Sequence, residues 1–123
     1  MRLTIVGALA FAAAASACDY SQRGDGFEMY VYAETSCGTA DGYEQFWGSG
    51  DNPLCDCYNF NSQMNDNVKS FTFTASSSHS INIYKDANCD GTVLGSFTGN
   101  YIDKTVSSAG QAMSSFDICL IIG

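Results

Sequence analysis

The sequence predicts an all-β, disulfide-stabilised sandwich assembled from two copies of one structural unit. Three observations lead there: a pattern that occurs twice, short runs of alternating apolar and polar residues, and six cysteines behind a leader-like N-terminus. The first copy of the pattern runs Met29-Tyr30-Val31-Tyr32, Cys37, Phe46-Trp47-Gly48 and Val68-Lys69-Ser70-Phe71-Thr72-Phe73. The second runs Ile81-Asn82-Ile83-Tyr84, Cys89, Phe97-Thr98-Gly99 and Met113-Ser114-Ser115-Phe116-Asp117-Ile118. Tyr32 precedes Cys37 by five residues, and Tyr84 precedes Cys89 by five. An internal repeat means one supersecondary unit used twice, so it constrains the fold more than any single segment does.

The elements follow in order. Residues 1–17 read as a secretory signal peptide: Arg2 supplies the positive start, Leu3 to Ala15 the apolar run, and Ala15-Ser16-Ala17 a small-residue cleavage site. The apolar run is shorter than the roughly 20 residues of a membrane span. Cleavage after Ala17 leaves residues 18–123 as a single domain. Cys18 to Gly26 is a short polar leader, expected to be held by a disulfide at Cys18. Phe27, Met29 and Val31 alternate with Glu28, Tyr30 and Tyr32, the period of a half-buried strand. Segments around Phe71/Phe73, Ile81/Ile83 and Phe116/Ile118/Leu120 alternate in the same way. Weaker strands are expected around Tyr43–Phe46, Thr92–Phe97 and Tyr101–Val106, separated by Gly, Asn and Asp clusters. A helical turn fits only at Tyr58–Met64 or Ser107–Met113. The segment Ala75 to Ser80 is read as a linker, with His79 exposed in it. The first unit then spans about 27–74 and the second about 81–120. The first unit is longer between its glycine and its closing serine, and the excess falls on Pro53–Phe60, read as an enlarged loop carrying Cys55 and Cys57.

Six cysteines behind a signal peptide imply three disulfides in an oxidising compartment. The sequence leaves 15 connectivities open. The expected pairing joins Cys89 to Cys119 within the second unit, leaving Cys18, Cys37, Cys55 and Cys57 to pair in the first. Zinc is disfavoured, because Cys55-Asp56-Cys57 lacks the two-residue spacer of a zinc knuckle and the chain has one histidine. The net charge is −8, from 5 cationic and 13 acidic residues. Phosphate backbones and anionic membranes would be repelled, so neither nucleic acid nor membrane insertion is expected. No Asn-x-Ser/Thr acceptor occurs.

The repeated residues resemble the βγ-crystallin superfamily. Its unit is a four-strand Greek key that opens on an aromatic strand and a glycine-containing hairpin. It continues to a strand carrying aromatic-x-Gly and closes on a loop of the form N/D-N/D-x-x-S/T-S. Tyr84-Lys85-Asp86-Ala87-Asn88-Cys89-Asp90-Gly91, Phe97-Thr98-Gly99 and Asn65-Asp66-Asn67-Val68-Lys69-Ser70 carry the resemblance, which covers residues 27–120. It implies two Greek keys in one βγ-crystallin-like sandwich. It also implies calcium in the closing loops, with ligands shared between the units. Calcium needs roughly six to eight oxygens, and neither loop is intact. Lys69 replaces a hydroxyl in the first, and Gly110-Gln111 replace the acidic pair in the second. Asp66 with Ser114 is the one degenerate calcium site that remains, and no other cofactor is expected.

No catalytic set emerges. General acid–base chemistry on phosphate needs cationic and titratable partners, and the only histidine, His79, lies away from carboxylates in sequence. Asp51/Asp56 and Asp86/Asp90 read as turn residues rather than a glycosidase pair. A ligand contact is suggested by Trp47, which alternation points outward if Phe46 faces the core; the competing role is cover for the Cys55–Phe60 loop. The expected function is a secreted, non-enzymatic protein of toxin-like, antimicrobial or effector-like action. It resembles the small secreted proteins of fungi, including the killer-toxin-like members of this fold. Its expected partner is an extracellular protein or a cell-wall polysaccharide. The alternative is a structural or weakly calcium-binding extracellular module.

Overall fold

The computed structural model describes Cys18 and residues 26–49, 54–75 and 78–121. The expected signal peptide lies outside them. Among the described residues eight strands form: β1 (Phe27–Tyr32), β2 (Tyr43–Gly48), β3 (Asp56–Asn59), β4 (Ser70–Ala75), β5 (His79–Asp86), β6 (Asp90–Thr98), β7 (Tyr101–Asp103) and β8 (Ser115–Leu120). They make two four-stranded sheets of order β2-β1-β4-β7 and β3-β8-β5-β6, antiparallel throughout. The expected sandwich of two Greek keys is therefore present. Each unit gives away one strand: β3 of the first half completes the second sheet, and β7 of the second half completes the first. Among the described residues no helix is long and apolar enough to cross a membrane.

Alternation explains the core. In β1, Phe27, Met29 and Val31 face inward and are fully buried; in β5, His79, Ile81 and Ile83 take the matching places. From the facing sheet, Phe116 and Ile118 of β8 meet Phe71 and Phe73 of β4 in one cluster. Phe116 is its hub. Its ring lies 5.0 Å from Phe46, 5.1 Å from Tyr58 and 5.8 Å from Phe60. Truncating such a residue to Ala costs about 3–5 kcal/mol.

Three expectations need correction. The pairing Cys89–Cys119 does not form: the disulfides are Cys18–Cys37, Cys55–Cys119 and Cys57–Cys89. The reason is the strand exchange, which lays β3 beside β8 with Cys57 opposite Asp117, so both cysteines of the presumed loop meet the second unit. That segment carries strand β3, Asp56–Asn59, in place of an enlarged loop, while the helical turn expected at Tyr58–Met64 or Ser107–Met113 is present in the latter as a 3-10 turn at Gly110–Ala112. Finally, His79 is not exposed in a linker. It opens β5, is 5% exposed, and its carbonyl accepts the Gly99 N–H.

Candidate functional site

The two copies are tied by the same device, and it positions everything around it. In each, the closing serine reaches back to the hairpin after the first strand. Ser70 Oγ accepts the Cys37 N–H at 2.8 Å and donates to the Glu34 carbonyl at 2.6 Å. Ser115 Oγ accepts the Cys89 N–H at 2.9 Å and donates to the Asp86 carbonyl at 2.6 Å. Both serines are fully buried. The hairpins need the tie because Ser36 and Cys37, like Asn88 and Cys89, sit at positive φ, a region that costs a residue with a Cβ free energy. The positive φ of a hairpin glycine is found at Gly91, with φ +79.

The closing loops converge as the resemblance implied. Ser114 Oγ donates to Asp66 Oδ1 at 3.3 Å, and the Asp66 N–H donates to the Met113 carbonyl at 3.1 Å. The mirror position holds no comparable pair. Gln111 turns its amide nitrogen to the Val106 carbonyl at 3.1 Å, and Lys69 brings an ammonium rather than a hydroxyl. A carboxylate and a hydroxyl are a small part of the roughly six to eight oxygens of a calcium shell. Nearby backbone carbonyls of Met113, Ser114 and Tyr84 already accept protein N–H groups. The residues therefore do not fit a tight calcium site. Cys55, Asp117 and Cys119 also lie close together, but the two sulfurs are joined in a disulfide, and metal ligation needs thiolates.

The most distinctive surface is the outer face of the first sheet. Strand β2 is an edge strand whose Tyr43, Gln45 and Trp47 point to solvent, with Trp47 57% and Tyr43 51% exposed. Phe46 packs against the core, so Trp47 points outward as alternation required. Their neighbours on β1 are Tyr32 opposite Tyr43, Tyr30 opposite Gln45 and Glu28 opposite Trp47. The three tyrosine rings form a continuous cluster, with centroids 6.2 Å apart for Tyr30–Tyr32, 6.4 Å for Tyr30–Tyr43 and 6.1 Å for Tyr32–Tyr43. Between them and Trp47, Gln45 Nε2 donates to Glu28 Oε2 at 2.8 Å and to Tyr30 Oη at 2.7 Å. Burial and then the Glu28 carboxylate push the Tyr30 phenol above its ordinary value; burial and then the neighbouring phenols push up Tyr32. Both stay protonated at neutral pH. Cys18, bonded to Cys37, packs on Tyr32 and closes that end. Trp47 was legible in the sequence. The gathering of Tyr30, Tyr32 and Tyr43 with it in the first half is legible there too; that they share one face is not, because the β1–β2 register places them together.

No protein-family profile matches the chain, and no curated protein matches it. Solved structures do. One, from work on the evolution of the eye-lens βγ-crystallin domain fold, is 16% identical with a TM-score of 0.54, over 84% of this chain and 95% of that one. Another is the βγ-crystallin domain of the Abundant Perithecial Protein of Neurospora crassa in its Ca2+-bound form. It is 13% identical with a TM-score of 0.51, over 81% of this chain and 96% of that one. At these identities the likeness is one of fold. The protein is a two-Greek-key sandwich with the βγ-crystallin domain fold.

Proposed function

We propose that the protein is a secreted, non-enzymatic binding module that acts outside the cell, toxin-like, antimicrobial or effector-like, through its tyrosine–tryptophan face. The target class that this face suits is a neutral cell-wall polysaccharide. The observation carrying the reading is the row Tyr43, Gln45, Trp47, backed by Tyr30 and Glu28. Four residues along a strand span about 13 Å, the length of a short oligosaccharide. A sugar ring offers an apolar C–H face to an aromatic ring and hydroxyl edges to an amide or carboxylate. Here the two kinds of group alternate along one strand. The charge of −8 favours neutral over anionic chains. Secretion is supported by the leader-like residues 1–17 and by the pairing of all six cysteines, which suits an oxidising compartment. The test is co-sedimentation with insoluble chitin, β-glucan and mannan, alongside growth assays on competing microbes. Retention on one polysaccharide, reduced at least tenfold by Trp47→Ala with unchanged melting, is expected. Equal retention of the variant would remove the face from the account.

A second reading, a weakly calcium-binding extracellular module, has one observation in its favour, the contact of Asp66 with Ser114. Calcium would be held there by the carboxylate and hydroxyl and would pin the two closing loops. A calcium-dependent rise in melting temperature, lost in Asp66→Ala, supports it; no heat on calcium addition and unchanged melting dismiss it.

A further inference from the structure

The two open edges of the sandwich are built from equivalent positions but filled differently. At the β2/β3 edge, Tyr58, Phe60 and Met64 pack against the core. Three sets of matching contacts identify their counterparts at the β6/β7 edge. Tyr58 pairs with Phe116 as Asp103 pairs with Phe71. The Phe60 N–H donates to the Ser114 carbonyl as the Val106 N–H donates to that of Lys69. The Met64 N–H donates to Asn61 Oδ1 as the Gly110 N–H donates to Ser107 Oγ. Where one edge has Tyr, Phe and Met, the other thus has Asp, Val and Gly. Gly95 likewise replaces a side chain: it lies opposite Ile83 on the inward face of β6. What the large side chains fill at one edge is a cavity of about 320 Å³ at the other.

That volume is at the lower end of the range of small-molecule sites. The pocket reaches down to Phe71, Ile83 and Met113 of the core. One wall is the stacked pair Phe97–Tyr101, with centroids 4.3 Å apart and planes 18° from parallel. Asp103 is the carboxylate on the lining; its Oδ1 accepts the Thr105 N–H at 3.1 Å, which restrains the side chain and leaves Oδ2 as a second acceptor. Apolar depth, an aromatic wall and one anchored carboxylate make a specific chemical demand.

We propose that this pocket is a binding site for a small aromatic amine. The ligand's ring lies along the Phe97–Tyr101 wall above Ile83, and its ammonium meets the Asp103 carboxylate. The charged pair sets orientation, and the aromatic wall adds ring stacking and attraction for the cation. The pocket lies at the edge opposite β2, so it is separate from the polysaccharide-binding face.

The test uses the full secreted chain, phenethylamine as the probe, and 2-phenylethanol as an uncharged probe of the same size, read by amide chemical shifts. Saturable shifts at Gly95, Asp103 and Gly110 are expected with phenethylamine, with the alcohol about tenfold weaker, the size of one charge-assisted hydrogen bond. Asp103→Asn keeps the acceptor for Thr105 and should lower amine affinity to that of the alcohol. Gly95→Leu should abolish binding of both probes. A Cβ there comes no nearer than 3.8 Å to another residue, at Phe97 Cε1, so the fold has room for it. Absence of shifts with both probes, unchanged amine affinity in Asp103→Asn, or retained binding in a folded Gly95→Leu would each overturn the proposal.

Discussion

Replacing Ser70 with Ala removes one hydroxyl and leaves two backbone groups without their partner. The first is the Cys37 N–H, which lies in a residue 3% exposed. The second is the Glu34 carbonyl, in a residue only partly buried, where water can take over part of the bond. An unsatisfied buried group costs about 1–3 kcal/mol, so Ser70→Ala should cost about 2–4 kcal/mol. Ser115→Ala removes the same two bonds from the second copy. There Cys89 is half-buried and Asp86 exposed, so hydration offsets more, and about 1–2 kcal/mol is expected. Ser114→Ala, whose hydroxyl makes only the 3.3 Å contact to Asp66, should cost under about 1 kcal/mol. Thermal unfolding followed by circular dichroism reads the order directly, at about 4–8 °C per kcal/mol for a domain near this size. The reasoning fails if Ser70→Ala is no more destabilising than Ser114→Ala, because the tie would then not be holding the positive-φ hairpin.

Three further outcomes follow from the same structure. Peptide mapping of the unreduced protein should join Cys55 to Cys119 and Cys57 to Cys89. Replacing Cys57 and Cys89 together with Ser should cost about 3–4 kcal/mol, given their separation of 32 residues; a Cys89–Cys119 peptide would contradict the strand exchange. Burial raises the Glu44 carboxyl, partly offset by its bond from the Asn61 N–H. A raised carboxyl favours the fold below its unfolded value, and that contribution is lost as pH rises through the folded one. Glu44→Gln should therefore melt higher than the parent at pH 7, with the difference closing below about pH 4; an equal difference at both pH values would refute the burial cause.

What the sequence discloses here depends on how local each feature is. The alternation of Phe27-Met29-Val31 and Ile81-Ile83 needs only neighbouring residues, so those strands and the repeat are readable. The repeat extended two residues earlier would also have placed His79 at the position of Phe27, correcting its assignment to a linker. Strand β3 is different. Asp56-Cys57-Tyr58-Asn59 has a single inward apolar side chain, Tyr58, and becomes a strand through pairing with β8, about sixty residues away. The wrong disulfide followed from that, since it assumed each unit keeps its own strands. Of the candidate sites, Trp47 and the convergence of Asp66 with Ser114 were legible from alternation and from the closing-loop pattern. The tyrosine cluster required the β1–β2 register, and the β6/β7 cavity required knowing which residues of the two copies are equivalent in space.

The central claim is that the protein meets its target through the outer face of β1 and β2. Its most direct test is amide and side-chain chemical-shift mapping during titration with a soluble oligosaccharide of whichever wall polysaccharide retains the protein. Shifts confined to the Trp47 indole, the Gln45 side-chain amide, Tyr43 and Tyr30 are predicted. Shifts centred on β5, β6 and β8 of the opposite sheet, with the Trp47 indole unmoved, would contradict it.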